Sequence, residues 1–421
     1  MEKLSSKGKV SRVSGVFVIL IFVICGFLQS QSDESNQSIE KLRKGTLVVK
    51  ANPGVNVEVE QLRHEFWFGA AIADGIFNGH YSEDDIKKYK EKFLENFNSA
   101  VIENDFKWVN MERIEGQVKY SNVDAMLEWT DQNEIPLRAH HIYCGIPQNV
   151  QPWIKESSDD ELRQKLQNRG ERVAARYKGR FAEYDLNNEM IHGNYYEDRL
   201  GQGITKQMAE WVHKGDPDAK LYLNDYDITT GRKLDDYMAQ IRLLLKQGVP
   251  IAGIGVQGHL HAETFDRGEL KKALDSLSIF NLPIRITEFN MPGQLSKFYN
   301  DRNLIMTGDE EVKKAQDIVD FYTICFAHPS VKGILMWGFW AESNWISASS
   351  IYNRDWSSTP ALKAYQDLVY KKWWTIASGK VDSKGDYSIP AYYGKYKVTV
   401  NEVTKTVWLK SSDSSVIVDF N

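Results

Sequence analysis

The chain has 421 residues, enough for one large domain of about 250 residues or more with accessory segments around it. Its net charge of −5 comes from interspersed acidic and basic residues, which excludes a broad positive face for nucleic acid and fits a neutral or mildly acidic substrate. Aromatic residues make up 12% of the chain; core packing accounts for most, yet Trp and Tyr also offer flat faces suited to sugar rings.

The first segment carries Lys3, Lys7, Lys9 and Arg12 ahead of an apolar run from Val13 to Leu28. This pattern predicts a secretory signal over residues 1–30 and a secreted, cell-surface or periplasmic location. An uncleaved anchor and lipoprotein processing at Cys25 are alternatives, the second opposed by the large Ile24 before it. Cys25, Cys144 and Cys325 lie in unrelated segments and supply no disulfide framework. Residues 31–45, polar at their start, predict a flexible leader. Residues 46–65 predict an accessory β-hairpin, because Thr46–Ala51 and Val55–Val59 alternate at period two around the turn Asn52-Pro-Gly54.

Between residues 66 and 376, short apolar runs alternate with stretches of helical period. The runs are 66–72, 99–103, 137–143, 183–188, 220–225, 253–258, 283–287 and 333–339. Eight such alternations predict an α/β fold, a (β/α)8 TIM barrel. Ser158-Asp-Asp-Glu161 and Thr307-Gly-Asp-Glu310 have the form of helix capping boxes. Helical pattern stops after Trp373-Trp374-Thr375, and residues 377–421 predict short accessory strands. These should pair with the N-terminal strands, since neither piece alone has enough strands for independent stability.

Polar residues collect where this fold places active sites, just past the carboxyl ends of the strands. Glu103, Asn104 and Lys107 follow the second strand, His140 lies in the third, and Asn188 and Glu189 end the fourth. Asn224, Asp225 and Tyr226 follow the fifth, Gln257 and His259 the sixth, Glu288 the seventh, and Trp337 and Trp345 the eighth. Each alone is explained as well by a helix cap, a surface residue or a satisfied core histidine. Their joint placement carries the argument, and two glutamates at the mouth of one barrel suit hydrolysis of a glycosidic bond.

The motifs Glu103-Asn-Asp-Phe-Lys-Trp108, Asp185-Leu-Asn-Asn-Glu189, Leu223-Asn-Asp-Tyr226, Gly255-Val-Gln-Gly-His-Leu260, Ile286-Thr-Glu288 and Trp337-Gly-Phe339 with Trp345 occur in this order. Over roughly residues 61–376 the chain resembles the glycoside hydrolase family 10 xylanases, and the flanking strands resemble additions carried by a subgroup of that family. The resemblance implies a retaining endo-hydrolase of β-1,4-xylan, with Glu189 matching the acid/base and Glu288 the nucleophile. In retaining enzymes the two carboxyls stand about 5–5.5 Å apart, so one attacks the anomeric carbon while the other protonates the leaving oxygen. By the same resemblance Asn188 holds the sugar 2-hydroxyl and His259 hydrogen-bonds the nucleophile. Glu103, Asn104, Lys107, His140 and Gln257 match residues that bind xylose hydroxyls on the non-reducing side. Trp337 and Trp345 match aromatic walls around the reacting ring, and Tyr226 is a platform on the leaving-group side.

The sequence departs from the family pattern at two places. Cys144, followed by Gly145, stands where a Trp is usual, leaving a stacking surface missing or supplied by Tyr143 or Trp340. Asn290 replaces a common acidic residue and would stabilise a protonated His259 less. Asn224 and Asp225 are evenly balanced between touching substrate and tying strand-end loops together. The expected partners are xylan and xylo-oligosaccharides, bound by a monomer without metal or organic cofactor and without nucleic acid. Action on another β-1,4-glycan, transglycosylation, and a catalytically silent glycan-binding barrel are the alternatives.

Overall fold

A computed structural model describes residues 34–421; the predicted signal over 1–30 lies outside them. Residues 34–43 form a helix, followed by β1 (Lys44–Lys50) and β2 (Asn56–His64). Next come β3 (Trp67–Ile72), β4 (Ser99–Ile102), β5 (Leu137–Ala139), β6 (Tyr143–Cys144), β7 (Glu183–Asn188), β8 (Leu221–Asp225), β9 (Gly253–Val256), β10 (Ile284–Phe289) and β11 (Val331–Met336). The chain ends with β12 (Ile376–Lys380), β13 (Asp386–Tyr392), β14 (Gly394–Val400), β15 (Val403–Leu409) and β16 (Ser415–Asp419).

Strands β3 to β11 form a closed parallel ring in sequence order, with β5 and β6 sharing the third position and β11 returning to β3. This is the (β/α)8 barrel, its strands buried on both faces as a parallel sheet under helices requires. Both predicted capping boxes close, at Ser158–Glu161 and at Thr307–Glu310, and start the helices Asp159–Arg176 and Gly308–Ala327. The interior is charged as well as apolar. Arg138 binds Glu183 at 2.6 Å and also pairs with Asp185, while Arg285 pairs with the other oxygen of Glu183. These groups are buried, so removing one partner would strand a charge and cost about 3–5 kcal/mol. Gly255 leaves room for them: a Cβ there would lie 2.7 Å from the Asn224 side-chain oxygen and 3.2 Å from Arg138 Nη2.

The terminal strands build a two-sheet sandwich, and its pairing corrects the hairpin. β1 lies between β13 and β16, whereas β2 lies between β12 and β14, with β15 at the edge. β1 and β2 therefore face each other across a core instead of pairing edge to edge. Leu47 and Val49 from one sheet meet Val57, Val59, Val398 and Leu409 from the other. Period-two alternation demands one buried face per strand, and stacking satisfies it while leaving both edges for C-terminal strands.

The flexible leader is also corrected, over residues 34–45. Ile39 and Arg43 of the N-terminal helix are buried. Arg43 donates to the carbonyls of Phe326 (2.7 Å), His328 (2.7 Å) and Val331 (3.0 Å), at the end of the helix Gly308–Ala327 and the start of β11. Its guanidinium also lies over Phe66 and Phe326, at 4.9 and 5.0 Å from the ring centroids. A single cation thus satisfies carbonyls left open at a helix C-terminus. These contacts tie the helix and sandwich to the amino-terminal end of the barrel, away from the strand ends that carry the candidate site.

Candidate active site

Glu189 follows the last residue of β7 with φ of +60°, uncommon for a residue with a side chain. Three backbone bonds hold this conformation: its N–H donates to Asn224 O (2.9 Å), and its carbonyl accepts from His192 (3.0 Å) and Gly193 (3.2 Å). The half-buried carboxylate takes a hydrogen bond from Gln257 Nε2 at 2.8 Å on one oxygen.

Glu288, within β10, is 4% exposed. Asn224 Nδ2 donates to one of its oxygens at 2.8 Å, and His259 Nε2 lies 3.1 Å from the other. His140 Nδ1 is 3.7 Å from the first oxygen and 2.9 Å from Asp185. Burial opposes ionisation of Glu288, but the charge at His140, the hydrogen bond from His259 and Lys107 outweigh it and hold the carboxyl at about 2. Glu288 is therefore an anion at neutral pH, with one hydrogen bond on each oxygen and lone pairs left for the cleft.

Asn224 answers the question its sequence left open. Its Nδ2 bridges Glu288 and Asn188 Oδ1 (3.0 Å), while its Oδ1 accepts from Thr287 Oγ1 (2.7 Å), which fixes the amide orientation. It orients the carboxylate from behind the cleft wall. Asn290 likewise supports His259: its Oδ1 lies 2.7 Å from His259 Nδ1, and its Nδ2 donates to Trp337 O and Ser349 Oγ. The amide offers the ring an acceptor but no charge.

The structure brings the sequence-predicted site residues, apart from Asn224 and Asp225, to one open cleft of about 710 Å³. Glu103, Asn104, Lys107, His140, Asn188, Glu189, Tyr226, Gln257, His259, Glu288, Trp337 and Trp345 all line it. His140 sits in the break between β5 and β6, not within a continuous strand. Lys107 Nζ donates to Asn104 Oδ1 (2.8 Å) and lies 5.7 Å from the Trp337 ring centroid. Burial and the charge of Asp74 push the Glu103 carboxyl up to about 8, making it a hydrogen-bond donor at neutral pH. Asn110, His141, Asn149 and Gln294 also line the cleft and were not anticipated.

His192 was missed too, although it lies three residues after Glu189. Its ring stacks on Tyr226 with centroids 3.5 Å apart and planes at 11°, and its Nδ1 is 2.8 Å from Asp225. Burial opposes its charge, but Asp225 and Asp227 outweigh this and push it up to about 9. Asp225 also accepts the N–H groups of Ile191 and Tyr226, so it ties the loops after β7 and β8 together.

The region of Cys144 corrects the expected substitute for Trp. Tyr143 is buried with its hydroxyl on Leu166 O (2.8 Å), and Trp340 is buried against Trp356 with centroids 4.3 Å apart. Neither lines the cleft. Instead the loop after β7 closes on this strand: Tyr195 N donates to Gly145 O (3.0 Å), and a Cβ at Gly145 would meet Gly193 O at 2.9 Å. Asn149 covers the Cys144 sulfur at 3.7 Å and presents an amide to the cleft. Burial and the charge of Glu189 push the Cys144 thiol up to about 12, which leaves it inert.

Comparison with known proteins agrees with this geometry. The family model described as glycosyl hydrolase family 10 matches residues 59–368. The chain belongs to this family. Anti-sigma-I factor RsgI6 of Acetivibrio thermocellus is 34% identical over 378 residues, covering 87% of this chain and 46% of that protein. Endo-1,4-beta-xylanase 1 of Arabidopsis thaliana is 33% identical over 396 residues, covering 90% of this chain and 39% of the relative. The chain thus spans less than half of these two relatives. Xylanase 10B of Thermotoga petrophila, solved in complex with xylobiose, matches with a TM-score of 0.65 and 23% identity over 73% of this chain and 95% of its own, a likeness of fold.

Proposed function

We propose that this protein hydrolyses internal β-1,4-xylosidic bonds of xylan with retention of configuration, Glu288 acting as nucleophile and Glu189 as acid/base. The observation that carries this reading is the contrast between the two carboxyls. Glu288 is buried, ionised and hydrogen-bonded on both oxygens, whereas Glu189 is half-buried, faces the same cleft, and has one oxygen committed to Gln257. Attack by Glu288 on the anomeric carbon forms a glycosyl ester while Glu189 gives its proton to the leaving oxygen. Water then enters on the side the leaving group vacated, and Glu189 accepts its proton. Trp337 and Trp345 flank the reacting ring, and Tyr226 supports the leaving sugar.

Named xylanases among the relatives support xylan as substrate, and the basic start with the apolar run 13–28 supports a secreted or surface location. The match to a protein named as an anti-sigma factor favours a second reading, a barrel that binds glycan within a regulatory protein. Incubation of the protein and its Glu288→Ala variant with xylan separates the two. Rapid shortening of long chains by the parent alone supports hydrolysis; binding without cleavage by either protein supports the second reading.

A further inference from the structure

One face of the Tyr226 ring is covered by His192, which does not line the cleft, so the opposite face is the one left for a ligand. His192 is in turn faced by a carboxylate at each nitrogen. Its Nδ1 is 2.8 Å from Asp225, and its Nε2 lies 3.9 Å from Asp227 Oδ2. The other oxygen of Asp227 is 2.5 Å from His261 Nε2. His192, Asp227 and His261 are largely enclosed, with side chains 14%, 18% and 12% exposed, yet none of them lines the cleft.

Asp227 is fixed by its backbone as well. Its φ of +64° is one that Asp tolerates, and its carbonyl accepts from Lys233 N (3.0 Å) and Thr230 Oγ1 (3.2 Å). Burial opposes its charge, but His192 and His261 outweigh this and hold the carboxyl well below its usual range. The contacts cross from loop to loop: His192 follows β7, Tyr226 and Asp227 follow β8, and His261 follows β9. His261 O accepts from Leu295 N (2.6 Å) and Leu260 O from Gln294 N (2.9 Å), which fastens the loop after β9 to the loop after β10, the strand of Glu288. A chain of contacts outside the cleft thus ties the Tyr226 platform to the strand that carries the nucleophile.

We propose that Asp227 and His261 are positioning residues for the leaving-group side of the cleft: they lock the His192 ring behind Tyr226 and so set affinity for the part of the glycan that departs. The inference rests on the hydrolytic reading above, with Tyr226 as platform, and deepens it by naming residues that touch no sugar. An anion between two imidazoles suits this role, because charge-assisted hydrogen bonds are stronger and shorter than neutral ones. Without Asp227, His192 keeps a carboxylate at Nδ1 alone and the loop after β9 loses its tie to the platform. Bond breaking at the anomeric carbon uses none of these contacts.

The test measures kcat and KM of the parent protein, Asp227→Ala, Asp227→Asn and His261→Phe on xylohexaose and on β-xylobiosyl fluoride. The fluoride expels a single atom and places nothing on Tyr226, whereas the hexaose must occupy it. Asp227→Ala and His261→Phe are expected to raise KM for xylohexaose about tenfold, the scale of one charge-assisted hydrogen bond, with kcat and turnover of the fluoride unchanged. Asp227→Asn keeps an acceptor for His261 and should lose less. An unchanged KM for xylohexaose in all three variants, or losses of equal size on both substrates, would overturn the inference while leaving hydrolysis intact. No cleavage of xylohexaose by the parent would instead remove the xylan reading, and this inference with it.

Discussion

The Asn224→Ala substitution probes how the barrel holds its nucleophile. Asn224 Nδ2 is 2.8 Å from one oxygen of Glu288, and Ala removes this donor without adding bulk. A hydrogen bond to a charged group contributes about 1.5–3 kcal/mol, and one pKa unit corresponds to about 1.4 kcal/mol. The Glu288 carboxyl, now held at about 2, should therefore rise by roughly one to two units. Its pKa stays below the ordinary value of 4.5 or close to it, so the anion persists at neutral pH. The effect appears on the acid limb. An aryl xylobioside with a good leaving group removes the need for strong protonation, so kcat/KM from about pH 3 to pH 8 reports Glu288. The parent should stay active at the acid end, while the variant declines below about pH 4. Thr287 Oγ1 loses its acceptor in the same step, so stability should fall by about 1–3 kcal/mol. An acid limb identical in parent and variant, with both folded, would refute the role assigned to Asn224.

Three further outcomes follow from the geometry. Glu189→Ala should depress turnover of xylan far more than that of activated aryl glycosides, because only the former need a strong acid; steady-state rates on both substrates check this. His192 has its pKa raised to about 9 in the fold from 6.5, so its stabilising charge is complete below about pH 6.5 and is lost as pH rises through about 9. Affinity for substrates that occupy the Tyr226 side should weaken through that window, and His192→Phe, which keeps a stacked ring, should abolish the pH dependence of KM. Arg43→Ala removes three hydrogen bonds to carbonyls and should lower Tm while leaving kcat unchanged, as scanning calorimetry and xylan turnover would show.

Much of the barrel and its mouth was legible because the ring strands are short buried runs and all but the first have a candidate site residue at or just past their ends. Asn188-Glu189 after β7 and Glu288 on β10 are the clearest cases. Partner choice was not legible in the terminal strands. Period two shows that Val48 and its neighbours alternate, but gives the same pattern whether β1 and β2 pair or stack. The helix over 34–43 escaped notice because its docking rests on Ile39 and Arg43, whose carbonyl partners lie almost 300 residues away in sequence. The same distance problem hid Asn224 behind Glu288. Cys144 misled in another way: the vacancy left by a smaller side chain is closed by the Gly145–Gly193 approach and by Asn149, and a one-residue comparison contains neither.

The central claim is that Glu288 forms a covalent bond to the sugar. The most direct measurement incubates the protein with an activated 2-deoxy-2-fluoro xylobioside, whose slowed hydrolysis lets the glycosyl ester accumulate, and maps the adduct by peptide mass spectrometry. The account predicts one modified site, Glu288, formed as activity is lost and released as activity returns. An adduct on Glu189, or steady turnover with inversion at the anomeric carbon and no adduct, would contradict it.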